Sequence, residues 1–110
     1  MALKNKISYN YQIQKNCLIV QLSDIEDDLS FINSLFCQGC NHFILDLTEV
    51  SNLNTEHLTK FTKFGKNLVQ TNSFVMISNQ FLKDGFLVVP TLQEAFDIIE
   101  IEDIERALNI

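Results

Sequence analysis

The chain has no tryptophan, a single proline, three glycines and a single arginine, Arg106, in its 110 residues. Scarce glycine and proline exclude collagen-like and low-complexity architectures and point to continuous helices and strands joined by few tight loops. The formal net charge is −6, with eight Lys and Arg against fourteen Asp and Glu. Nucleic-acid binding relies on clustered positive charge that displaces counterions, so DNA and RNA are not expected partners. An acidic membrane surface is disfavoured for the same reason. No apolar run approaches the ~20 residues of a membrane span, and Met1 to Lys6 lacks the apolar core of a signal peptide. A cytoplasmic protein is expected. The three cysteines are an odd number and read as reduced thiols.

What the chain does have is apolar bulk. The hydrophobic fraction is 46% and the charged fraction 20%, with nine Phe to fill a core. A chain of this length buries roughly 65% of its unfolded surface, enough for one domain over residues 1–110. Ile7, Tyr9, Tyr11 and Ile13 alternate with polar neighbours, the period of a half-buried strand. Lys15-Asn16 suits a tight turn into Cys17-Leu18-Ile19-Val20-Gln21-Leu22, so an N-terminal hairpin is expected. An acidic loop, Ser23 to Asp28, precedes a short helix carrying Leu29, Ile32, Leu35 and Phe36, with a stop near Gln38-Gly39. Phe43 to Leu47, Ser73 to Ile77 and Phe86 to Val89 are continuous apolar runs of the kind buried on both faces, usually in parallel sheets.

Thr55 to Gln70 is the strongest helix. Leu58, Phe61, Phe64, Gly65, Leu68 and Val69 fall within one arc of roughly 140°, with Lys60, Lys63 and Lys66 opposite. Gly65 sits inside the apolar arc, where a missing side chain lets the helix approach a sheet closely. Pro90 ends the last strand, and Thr91-Leu92-Gln93-Glu94 has capping-box spacing. Leu92, Ala95, Phe96 and Ile99 share a face, whereas Ile101, Ile104 and Leu108 continue on a shifted phase, so a bend near Glu100 is expected. Strands alternating with helices predict an α/β fold: a mixed, mostly parallel sheet of four to five strands, with right-handed crossovers and an acidic C-terminal helix.

The segment from His42 to Ser78, a buried strand ending in Asp46-Leu47, a loop, a helix opening at a hydroxyl residue and another buried strand, resembles the central unit of STAS domains, the anti-sigma-factor-antagonist fold. Pro90-Thr91-Leu92-Gln93-Glu94-Ala95 resembles that family's last passage from strand to helix. The likeness in element order covers roughly residues 7 to 100. It implies a protein-binding regulator or adaptor rather than an enzyme, with an anti-sigma factor or kinase-like protein as partner. It also aligns Thr55 with the serine that the partner kinase phosphorylates. The family's Asp-Ser-Ser-Gly-like turn reads Asn54-Thr55-Glu56-His57 here, so Asn54, Glu56 and His57 fall on the partner-binding surface the resemblance implies.

Other readings stand beside it. Asn54 or Thr55 suits an N-cap. Cys37-Gln38-Gly39-Cys40 has redox or half-zinc spacing. It follows a helix rather than opening one, and only His42 and Cys17 stand as further ligand candidates, so the thiols read as structural and no metal or cofactor is expected. The six carboxylates from Glu94 to Glu105 read as a solvated face. Ile98, Ile101 and Ile104 exceed what one helix face buries internally. That suggests the alternative of a non-switching structural or homo-oligomeric subunit, packing as a homodimer through this helix.

Overall fold

The computed structural model of the chain describes residues 10–24, 29–36, 40–51, 53–79 and 87–108. Its elements are β1 (Asn10–Gln14), β2 (Cys17–Gln21), α1 (Ser30–Leu35), β3 (His42–Asp46), α2 (Thr55–Val69), β4 (Phe74–Ile77), β5 (Val88–Val89) and α3 (Leu92–Leu108). They form an α/β fold with a five-stranded mixed sheet in the order β1-β2-β3-β4-β5. The first pair is antiparallel and the other three are parallel. Ile7 and Tyr9, the Gln38-Gly39 stop, and Phe86 lie outside the described residues.

The hairpin shows how local chemistry sets register. Lys15 and Asn16 both adopt positive φ, 56° and 65°, as a two-residue turn of the primed type requires. Asn tolerates that region through its short polar side chain, whereas Lys is strained there. The Lys15 ammonium lies 4.7 Å from the centre of the Phe96 ring, a cation–π contact that offsets part of the strain. Gln14 then pairs with Cys17 and the ladder runs to Asn10 and Gln21.

Period-two alternation sorts the strands' side chains into two cores. Leu18, Val20, Phe43, Leu45, Phe74 and Met76 face α1 and α2, where Ile32, Leu58, Phe61 and Val69 cover them. Cys17, Ile19, Ile44, Val75 and Ile77 face α3, against Ala95, Phe96 and Ile99. The result is three layers with the sheet in the middle. Because sequence-adjacent strands pair in parallel, the crossovers through α1 and α2 fall on one face, and α3 covers the other.

Gly65 brings α2 directly against the sheet at Phe74. A Cβ at this position would overlap the ring of buried Phe74. That ring stacks on Phe43, with centres 5.3 Å apart and planes at 21°, and Phe43 meets Phe64 edge-on at 6.2 Å.

The expected bend near Glu100 does not occur. α3 runs unbroken from Leu92 to Leu108. The inward stripe of Leu92, Ala95, Phe96 and Ile99 keeps its helical phase and continues as Glu102, Asp103 and Arg106. It changes from apolar to polar rather than ending, and the polar residues find partners on the sheet. Ile101, Ile104 and Leu108 are left outside, at 55%, 53% and 80% exposure.

Candidate functional site

The loop that leads into α2 is fixed from the end of β3. Asp46 accepts two hydrogen bonds on Oδ1, from the Thr48 backbone N–H (2.9 Å) and the Thr48 hydroxyl (2.7 Å). The Gln21 amide reaches its other oxygen at 3.5 Å. The Val50 N–H donates to the Leu47 carbonyl at 3.0 Å, and Val50 and Leu53 pack into the core on the helical face. The carboxylate of the Asp46-Leu47 motif therefore organises the loop from the C-terminal end of the sheet, and α2 starts at a position set by buried contacts.

The helix start itself is a reciprocal cap. The Asn54 side-chain oxygen accepts from the His57 N–H at 3.0 Å, and His57 Nδ1 accepts from the Asn54 N–H at 3.2 Å. Each side chain satisfies an amide that the helix cannot. This separates the four residues singled out in the sequence. Asn54 is the N-cap, with extended backbone, and it shares the capping box with His57. Thr55 and Glu56 are the first residues of the helix and both are exposed. The Thr55 carbonyl accepts from the Thr59 hydroxyl at 2.9 Å. Thr55, Glu56, Thr59, Lys60 and Lys63 line an open groove of about 520 Å³ along the outer face of α2. An anion on Thr55 would meet the positive end of the helix dipole with Glu56 beside it.

A second constellation joins residues far apart in sequence. His42, only 3% exposed, accepts the Ser73 backbone N–H on Nδ1 at 3.1 Å. Its Nε2 lies 3.2 Å from Asp103 Oδ2. An Nδ1 that accepts is unprotonated, so Nε2 carries the proton and donates it to the carboxylate. Arg106 donates to Asp103 Oδ1 and to the Ser73 hydroxyl, both at 2.8 Å, and to the Thr71 carbonyl at 3.4 Å. The Ser73 hydroxyl donates to Glu102. The Arg106 hydrogen bond, helped by His42, holds the Asp103 carboxyl below the usual carboxylate range.

Ser, His and Asp meet here, but not as a nucleophilic triad. The imidazole takes the backbone N–H of Ser73 while the Ser73 hydroxyl goes to Glu102, so the histidine is not placed to take the hydroxyl proton as the base of a triad would. Ser73 is also buried. What the arrangement does is tie the last turns of α3 to the starts of β3 and β4. Glu102 and Asp103 are thus not part of a wholly solvated face, which corrects the sequence reading. The sequence signal was present in two periods. Glu102, Asp103 and Arg106 continue the inward helical phase of Ile99, and His42 lies two residues before Ile44 on a buried strand.

Cys17 and Cys40 are buried, and Cys37 lies outside the described residues. Burial, with the negative charge of Asp103 adding to it, pushes the Cys17 thiol up to about 11, so it stays protonated and a poor nucleophile at neutral pH. Its Sγ lies 3.4 Å from the Lys15 carbonyl. Among the described residues, no three His, Cys, Asp or Glu side chains are placed to hold a metal ion. Nor is any described helix long and apolar enough to cross a membrane.

The class these observations define is a three-layer α/β domain with a capped, exposed helix start on one face and a polar tether on the other. Compared with known protein families, curated proteins and solved structures, the chain matches none.

Proposed function

We propose that this chain is a STAS-like, non-catalytic protein-interaction module, a regulator or adaptor whose contact surface is the loop before α2 and the first turns of that helix. The observation that carries the reading is the exposed Thr55 in the first turn of a well-capped helix, beside an open groove. The loop that presents it is anchored by Asp46, Val50 and Leu53. A surface held by buried contacts loses little entropy on docking, which favours recognition. Asn54 and His57 serve this surface by fixing the helix start, and Glu56 and Thr55 face the partner.

Thr55 is the phosphoacceptor in this proposal. A phosphate there adds close to two negative charges and three acceptor oxygens. Free N–H groups at the helix start favour it, and Glu56 then makes the surface strongly acidic. An acidic partner is released and a basic one retained. The kinase-like or anti-sigma-factor-like partner and a cytoplasmic setting belong to the same proposal.

The test is recovery of the endogenous protein from its own cells, with intact-mass analysis and fragmentation, alongside partner capture by wild type and Thr55→Glu. One added phosphate on Thr55, and a captured protein lost in the T55E variant, are expected. Unmodified Thr55 under all growth conditions, with T55E capturing the same partner equally well, removes the switch.

A further inference from the structure

The outer face of α3 lies on the opposite side of the sheet from Thr55. Ile101, Ile104 and Leu108 stand at i, i+3 and i+7 and are 55%, 53% and 80% exposed. At about 100° per residue they fall within roughly 60° of one another. Asp97 lies in the same arc one turn before Ile101. Glu100 flanks the stripe on one side and Glu105 on the other, and all three are exposed. α3 has one basic residue, Arg106, and it is turned inward onto Ser73 and Asp103. The polar tether at His42 and Ser73 makes this end of α3 a fixed surface rather than a fraying terminus. The face is therefore a held apolar stripe with a one-sign acidic rim.

We propose that this face docks an amphipathic helix of another protein, one with aliphatic residues at i, i+3 and i+7 and lysines or arginines along the flanks. The rim chooses the occupant. A second copy laid α3 against α3 would bring Glu100 and Glu105 against carboxylates with no base to answer them, an arrangement that costs association. A second copy's α2 offers Lys60 and Lys63 on its outer face, but nothing apolar between them to cover three aliphatic side chains. A basic amphipathic helix satisfies both the stripe and the rim. The proposal is independent of the role of Thr55.

The test uses the full chain and a dye-labelled synthetic peptide of about 18 residues built from Leu, Lys and Ala, with Leu on one face and Lys on both flanks. Fluorescence anisotropy reads its binding. Saturable binding that weakens with salt is expected, as is loss of at least about tenfold in affinity for Ile101→Ser/Ile104→Ser. A smaller loss is expected for Glu100→Gln/Glu105→Gln. The substituted side chains are exposed, and circular dichroism checks that the fold is kept. Equal binding by the I101S/I104S variant, or by a peptide with Glu in place of Lys, overturns the proposal. So does a wild-type dimer in sedimentation that I101S/I104S dissociates, since the occupant is then a second copy.

Discussion

Gly65→Ala sets two effects of opposite sign against each other. In an unconstrained helix the change is favourable, because alanine exceeds glycine in helix propensity by about 1 kcal/mol. Here the new methyl would enter the space of the Phe74 ring. That ring is held from behind by its stack on Phe43, so it cannot swing clear as the end of a flexible side chain could. Overpacking of this kind costs about 1–3 kcal/mol, and contact with the body of a trapped ring belongs near the upper figure. The expected net loss is about 2 kcal/mol. With a slope of about 1.5 kcal/mol per molar urea, the midpoint falls by about 1.3 M. The melting temperature falls by about 8 °C for a chain of this size. Urea denaturation followed by circular dichroism measures both. Phe74→Leu in the same background frees the space, so alanine at 65 should then be neutral or stabilising by up to about 1 kcal/mol. A rise in midpoint for the single Gly65→Ala variant would refute the close approach of α2 to the sheet.

Asn54→Ala should cost about 1 kcal/mol through loss of the cap, whereas Thr55→Ala should change stability by less than about 0.5 kcal/mol; thermal melts separate the structural residue from the proposed modification site. The Cys17 thiol, raised from 9.0 to about 11, should react with a disulfide reagent at pH 8 roughly 100-fold more slowly in the folded protein than in urea, read by mass mapping of that cysteine. Asp103 titrates lower in the folded chain than the unfolded value of about 3.9, so its stabilising contribution is complete above that pH and is lost as pH falls through the folded value. The side chain is 52% exposed, which limits the contribution to below about 1 kcal/mol; Asp103→Asn should flatten the fall in stability below about pH 4. His42→Ala leaves the buried Ser73 N–H without its acceptor and should cost about 1–3 kcal/mol. Asp103→Ala should then cost less in that background than in wild type, which a double-mutant cycle in urea measures.

Local periodicity was enough to read most of the elements. The Lys15-Asn16 turn, the apolar stripe of α2 and the buried runs at β3 and β4 are each encoded within a few residues. Their spacing of two or 3.6 follows from backbone geometry alone. Gly65 was legible too, because a glycine on the apolar arc of a strong helix is unfavourable unless something needs the room. The α2 start was readable as a cap, but not its reciprocal bonding with His57, since histidine is outside the usual capping-box pair. The C-terminal helix was misread. An apolar pattern that changes phase at Ile101 suggests a bend only if apolar residues must face inward.

The sequence by itself therefore determined which segments are helix or strand and the apolar core of β2, β3, β4 and α2, because burial and backbone period leave a local imprint, whereas Tyr11 and Ile13 of the expected half-buried first strand are 55% and 51% exposed. Tertiary structure decided what the buried faces meet. The parallel register of β3 with β4, Phe43 opposite Phe74, brings Ser73 beside His42, and docking of α3 on that face supplies Glu102, Asp103 and Arg106. With polar partners waiting across the sheet, polar residues can occupy the inward stripe, so the helix runs straight and its isoleucines turn to solvent. A periodic pattern reports that a position faces inward, whereas the chemistry it finds there depends on residues 29 to 61 positions away.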